Sequence, residues 1–153
     1  MECTIVRNER GAVSRLLIYA IVFGALAYGY YHFQSTPRYA LIQFKKAIMF
    51  SDKETAEKYL DVDSFMNSLS TDMSGGAEGE ALKKRILYEI DSPHEKSLFK
   101  PVRNWTVFTV SIIISGDDAS VEQDDGTTIA LKKLNGRQWI ITSIRFSPQN
   151  SNK

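Results

Sequence analysis

The sequence predicts an α+β protein, in which one membrane-spanning helix is followed by helices packed on a curved four-stranded antiparallel sheet. Three observations carry that expectation. Residues 16–37 form a window of 22 residues without Asp, Glu, Lys or Arg. Residues 38–90 repeat apolar side chains at three- and four-residue spacing, and residues 105–146 are dense in β-branched and aromatic residues punctuated by Gly and Asn-Gly turns. Helices first and antiparallel strands second make the α+β class.

The uncharged window opens on LLIYAIVFGALAYGYYHF, Leu16 to Phe33. At about 1.5 Å per helical residue it reaches roughly 33 Å, enough for a hydrocarbon core of about 30 Å. Arg7, Arg10 and Arg15 precede it, and a short tail with three arginines is costly to translocate, whereas a folded domain crosses largely regardless of its charge. Residues 1–15 are therefore expected as a cytoplasmic tail and 16–36 as a single-pass transmembrane helix of the inner (cytoplasmic) membrane. Residues 37–148 follow as an extracytoplasmic α+β domain, and 149–153 as a disordered tail. Tyr28, Tyr30, Tyr31 and Phe33 fit an aromatic belt at the outer interface. Two alternatives compete with an uncleaved anchor. Ala25-Leu26-Ala27 matches the small-residue cleavage pattern of a signal peptide. Asn8-Glu9-Arg10-Gly11-Ala12 resembles the leader junction of type IV pilin-like and secretion-apparatus proteins, although Leu16 stands where those carry a Glu.

The whole chain has 19 Lys or Arg and 18 Asp or Glu; three and two of them precede the domain, leaving 16 of each within it. With no net field, nucleic acid is not an expected partner. The single cysteine, Cys3, precedes the window, so the domain holds no disulfide and rests on packing.

Pro37 suits a first helical turn. Ala40, Leu41, Phe44, Ala47 and Ile48 then mark an amphipathic helix. Ser51 to Glu54 reads as a capping box, opening a second helix that buries Ala56, Tyr59 and Leu60. Asp61 to Ser64 starts a third, presenting Val62, Phe65, Met66 and Leu69. STDMSGGAEG, within Ser70 to Glu80, has the composition of a mobile loop. Ala81 to Ile90 supplies Leu82, Ile86, Leu87 and Ile90 at helical spacing, and Ser92-Pro93 ends that helix. Four strands of a meander follow: WTVFTVSIIIS from Trp105, a short strand after Gly116-Asp117-Asp118, TTIALKKL after Asp124-Asp125-Gly126, and RQWIITSIRF after Asn135-Gly136, where both residues tolerate the positive φ of a tight hairpin.

Strict alternation points Phe108, Val110, Ile112 and Ile114 one way and Trp105, Val107 and Ile113 the other, and it sets Ile140, Ile144 and Phe146 against Trp139 and Ile141. Neither face then reads as polar. One is covered by helices, and the second is expected to meet a partner or ligand. The candidate partner or ligand face is Trp105, Val107, Ile113, Trp139 and Ile141.

Pro37-Arg38-Tyr39-Ala40-Leu41 to Ala47, Ser51-Asp52, Tyr59-Leu60-Asp61-Val62 and the closing Trp139-Ile140-Ile141 to Phe146-Ser147-Pro148 resemble a family of uncharacterised, membrane-anchored bacterial proteins. Their domains are similar to the cone-shaped nuclear transport factor 2-like fold. The resemblance implies a cone-like fold and an envelope location, and no reaction.

Candidate chemistry is sparse. His94 sits beside Pro93 without a nucleophile motif or base pattern nearby. Asp61 and Asp63 fit helix capping better than acid–base work. Asp117-Asp118 and Asp124-Asp125-Gly126 are held roughly 17 Å apart by the strand between them, at about 3.3 Å per residue, and read as hairpin turns instead of a calcium site. Asn104-Trp105-Thr106 matches a glycosylation acceptor only by chance pattern. No catalytic residue, cofactor or metal ligand is assigned. The expected protein is a non-enzymatic envelope component that binds a protein partner, a second copy of itself or a small apolar ligand. A pilin-like component and a small acid–base enzyme are the alternatives.

Overall fold

The computed structural model describes residues 9–69, 79–91 and 97–147, with side chains from residue 14 onward. Asn8, the loop from Ser70, Ser92-Pro93 and His94, Cys3 and the 149–153 tail lie outside the described residues. The chain divides into two units, Met1–Gln34 and Ser35–Lys153.

The first unit is one helix, α1 (Glu9–Gln34). Its Ser14–Gln34 stretch, 21 residues with none of the window buried, is long and apolar enough to cross a membrane.

The second unit is α+β. Its helices are α2 (Pro37–Phe50), α3 (Lys53–Tyr59), α4 (Val62–Ser68) and α5 (Gly79–Asp91), followed by a 3₁₀ turn at Pro101–Asn104. Strands β1 (Ile112–Ser115), β2 (Asp118–Glu122), β3 (Thr128–Leu134) and β4 (Gln138–Arg145) form an open antiparallel sheet in the order β1-β2-β3-β4.

The helix starts follow from capping chemistry. Thr36, in extended backbone, accepts the Tyr39 N–H through its side chain, and Pro37 occupies the first turn, where a missing N–H costs nothing. The expected α2 stripe is the buried one: Ala40, Leu41, Phe44, Ala47 and Ile48. The box expected at Ser51 is displaced by one residue. Ser51 has φ 56° and closes α2 in the left-handed conformation, so Asp52 becomes the cap of α3, accepting from the Thr55 N–H at 3.0 Å. Asp61 caps α4, accepting from the Ser64 N–H at 3.0 Å and the Ser64 hydroxyl at 2.7 Å.

These bonds, the Ser64 N–H first among them, hold the Asp61 carboxyl below its ordinary range. A group whose folded pKa is depressed stabilises the fold above its unfolded value of about 4 and loses that contribution as the pH falls through the folded value. Asp61→Ala is therefore expected to cost about 1 kcal/mol at neutral pH. The gap between parent and variant, measured by urea unfolding, should narrow progressively below about pH 4.

The hairpins match their turn chemistry. Gly116 has φ 63° between Ser115 and Asp118, the first central position of a two-residue hairpin. Asn135 and Gly136 have φ 51° and 69°. Gly126, φ 79°, closes the β2–β3 turn, where Gln123 N–H bonds to the Thr127 carbonyl.

Two expectations about the sheet are corrected. The first strand begins only at Ile112; ahead of it the Trp105, Phe108 and Val110 carbonyls and the Thr106 N–H are bonded to side chains from elsewhere in the fold. The face assignment also changes along β4. Ala130 pairs with Ser143 but Leu131 with Ile141, so Thr142 is an extra residue and the phase flips there. Trp139 and Ile141 before the bulge and Ile144 after it consequently share the buried face with Ala119, Val121, Ile129 and Leu131. The opposite face carries Asp118, Ser120, Glu122, Thr128, Ala130 and Lys132, with Ile113 and Ile140 interspersed. It is a largely polar, solvated face.

Candidate functional site

Two of the exposed large apolar side chains of the second unit, Met49 and Phe50, stand at the end of α2. Beside the buried stripe runs another, Ile42, Lys45, Lys46, Met49 and Phe50, at the three- and four-residue spacing that keeps side chains on one helix face. Residues 105–109 lie along it, and together they wall an open groove of about 600 Å³.

The groove's second wall exists because three carbonyls are captured by α2. Arg38 Nη1 donates to the Phe108 carbonyl at 2.7 Å and Nη2 to that of Val110 at 3.1 Å. Lys45 Nζ donates to the Trp105 carbonyl at 2.7 Å. The Thr106 N–H is taken by Gln123 Oε1 at 3.0 Å, and its hydroxyl donates to Asp124 Oδ2 at 2.9 Å. Such charge-assisted bonds hold the segment off the sheet and leave its side chains free to alternate between core and surface. Trp105, Val107 and Val110 turn inward, whereas Phe108 stands out, 71% exposed. Phe50, also 71% exposed, and Met49 face it from the end of α2. Lys46 adds an exposed positive charge to the same wall. Below, the Trp105 ring leans on Phe44 at 6.2 Å between centroids, so the floor belongs to the core. Trp105 Nε1 and Gln123 Nε2 are buried donors without a hydrogen-bond partner among the described residues.

Of the five residues expected to form one binding face, the structure brings Trp105 and Val107 together as groove lining. Trp139 and Ile141 are in the core, with Trp139 Nε1 donating to the Ser35 carbonyl at 3.0 Å. Ile113 stands apart on β1, 70% exposed. Sequence reasoning did not single out Ile42, Met49 and Phe50. For Met49 and Phe50 the signal was two apolar residues at the end of α2, outside its main stripe.

Several acidic groups are structurally engaged. Asp61 caps α4, and Asp63 pairs with Lys83 at 3.0 Å, a contact that raises the lysine pKa. Asp125 accepts from the Thr127 N–H within its hairpin. One buried carboxylate was not anticipated: Glu89, 4% exposed, accepts from Arg85 Nε at 3.0 Å, the Leu98 N–H at 2.6 Å and the Ser97 hydroxyl at 3.3 Å. Its oxygens tie α5 to the segment ahead of the 3₁₀ turn. Among the described residues, no group of three or more His, Cys, Asp or Glu is placed to hold a metal ion.

No protein-family model, curated protein or solved structure matches the chain.

Proposed function

We propose that this protein is a membrane-anchored, non-enzymatic docking module whose α2 groove receives apolar side chains of a partner protein. In this reading α1 spans the inner membrane once, residues 1–15 are cytoplasmic and the α+β unit lies on the extracytoplasmic side. Helices on one face of an antiparallel sheet also suit the cone-shaped, nuclear transport factor 2-like architecture that the sequence resembles.

The observation that carries the proposal is the groove between Met49, Phe50 and Phe108. A soluble surface rarely clusters large apolar side chains without a use for them. Two of its aromatics project instead of closing over a chamber, and small-molecule sites bury most of their ligand. The open form thus favours a partner's side chains over a small apolar molecule. Lys46 on the rim favours a partner segment that carries acid beside its apolar anchors. The non-enzymatic assignment rests on the carboxylates, since Asp61 and Glu89 are spent on the fold.

A pilin-like filament subunit would need its apolar helix to run on into Arg38–Phe50. Here α1 ends at Gln34, and Thr36 and Pro37 begin a separate helix. Intact mass of the protein from its native membrane separates the remaining options. The full-length mass is expected; loss of residues 1–11 would support leader processing, and loss through Ala27 a released domain.

The docking reading is tested by replacing Phe108 with p-benzoylphenylalanine in the full chain and irradiating native membranes. A discrete protein adduct at 108, and none when Tyr88 on α5 is replaced instead, is the expected result. No adduct at 108, or equal labelling at both positions, would overturn the reading.

A further inference from the structure

We infer that Lys58, Lys133 and Arg137, gathered beside the residue where the chain leaves its span, hold the α+β unit against the phosphate headgroups of anionic phospholipids in the bilayer that anchors it. The inference rests on α1 being the span of the proposed function and is independent of the groove.

The placement comes from chain connectivity and one hydrogen bond. The apolar stretch of α1 ends at Gln34, and Ser35 is the next residue. Thr36 already caps α2, so little chain separates the end of the span from the fold. Trp139 Nε1 donates to the Ser35 carbonyl at 3.0 Å, which pins the start of β4 to that residue. The headgroup layer begins where the hydrocarbon core ends and is about 5–7 Å deep, so a group held at Ser35 is held at headgroup depth.

Two lysines stand around this point. Lys133 is the strand partner of Trp139, and its Nζ lies 5.8 Å from the centre of that ring, so one indole separates the ammonium from the Ser35 carbonyl. Gln138 Nε2 donates to the Lys58 carbonyl at 2.8 Å, which brings the end of α3 to the same place, and Lys58 Nζ lies 5.9 Å from the centre of the Tyr59 ring. Among the described residues neither lysine forms an ion pair. Arg137 and Leu134, both exposed, add a third cation and an apolar side chain at the hairpin tip. The acids nearby are fewer. Glu57 lies 4.0 Å from Lys53, and Asp118 faces Lys132 across the strands, which leaves Asp117 of the neighbouring hairpin against three cations.

An aromatic ring with a lysine laid over it suits a membrane–water boundary, where the ring occupies the interface and the ammonium reaches a phosphate oxygen. Connectivity also favours lipid over a protein here, because headgroups surround the chain wherever the span leaves the bilayer. Each basic residue held near an anionic surface shifts the docked population roughly fivefold.

The test uses the full chain in vesicles, with Cys3→Ser and a bimane fluorophore on Leu134→Cys, quenched by a lipid carrying a nitroxide on its headgroup. Adding phosphatidylglycerol to phosphatidylcholine vesicles is expected to raise quenching at 134 at least about twofold. High salt should abolish that rise. So should the double variant Lys58→Glu, Lys133→Glu, with an unchanged circular dichroism spectrum. The same probe on Thr128→Cys, roughly 20 Å away at the far end of β3, should show no rise. Lys84→Glu with Lys100→Glu, an equal change of net charge at exposed lysines elsewhere, should leave the rise at 134 intact. Quenching that ignores phosphatidylglycerol, which would leave these cations to a protein partner, overturns the inference. A rise that survives high salt or the reversal of Lys58 and Lys133, an equal rise at 128, or an equal loss in the Lys84 and Lys100 variant does the same. In each of these cases a chain that stays in the membrane through alkaline carbonate extraction leaves the span standing. A chain that carbonate removes overturns the span reading, and this inference with it.

Discussion

Phe44→Ala is expected to destabilise the α+β unit by about 3–5 kcal/mol, the range for deleting a fully buried aromatic ring. Phe44 is fully buried at the middle of α2. Its ring meets Phe99 edge-on at 5.9 Å and Trp105 at 6.2 Å, and Phe99 in turn lies 5.8 Å from Phe65 on α4. One side chain thus joins α2, α4, the 3₁₀ approach and the groove floor. Removing it opens a cavity that none of three rigid rings can fill, so the loss should sit at the upper end of that range. For a unit of this size the thermal midpoint should fall by about 10–20 °C, read by circular dichroism. Phe44→Leu, which retains most of the volume, should cost clearly less. Trp105 fluorescence should also respond to Phe44→Ala, because that ring loses a neighbour.

Glu89→Ala is expected to cost about 2–3 kcal/mol, more than any exposed ion pair in the protein. The substitution removes few contacts of its own. Its cost comes from the partners left behind: the Leu98 N–H and the Ser97 hydroxyl, which the Glu89 carboxylate satisfies from a buried position. Glu89→Gln keeps an acceptor and the side-chain volume, and should recover part of the loss. By contrast, Lys53→Ala breaks a 4.0 Å pair with Glu57 between half-exposed chains and should change stability by less than about 0.5 kcal/mol. Urea unfolding of the three variants side by side distinguishes a buried anchor from a surface charge.

Local rules carried far into this fold. The α2 stripe, the Asp61 cap and the Asn135-Gly136 turn each depend on residues within four positions of one another, and each was legible. What escaped the sequence depends on distant partners. WTVFTVSIIIS has strand composition throughout, yet its first seven residues are irregular, and Arg38 and Lys45, some 60 to 70 positions earlier, hold three of their carbonyls. The bulge at Thr142 has no local mark. A single inserted residue moved Ile144 onto the core face and turned an apparently two-sided apolar sheet into a one-sided one. Ser51 shows how small the margin is, since Ser51 and Asp52 are both good capping residues and the left-handed turn at Ser51 decided between them. Glu89 carries no local signal, because the Ser97 hydroxyl and Leu98 N–H that its carboxylate accepts lie beyond its own helix. The groove was half legible: Trp105 and Val107 were placed on one candidate face by strand alternation, while Met49, Phe50 and Phe108 acquire meaning only once α2 and residues 105–109 lie side by side.

The docking claim is tested most directly by combining the crosslinker at 108 with Phe50→Asp in the same chain. Phe50 is exposed, so the fold should keep its stability within about 0.5 kcal/mol. The account predicts that the protein adduct formed from position 108 disappears, because the charge spoils the apolar wall facing it. An adduct of undiminished yield would contradict the account and assign the contact to Phe108 alone, outside any shared groove.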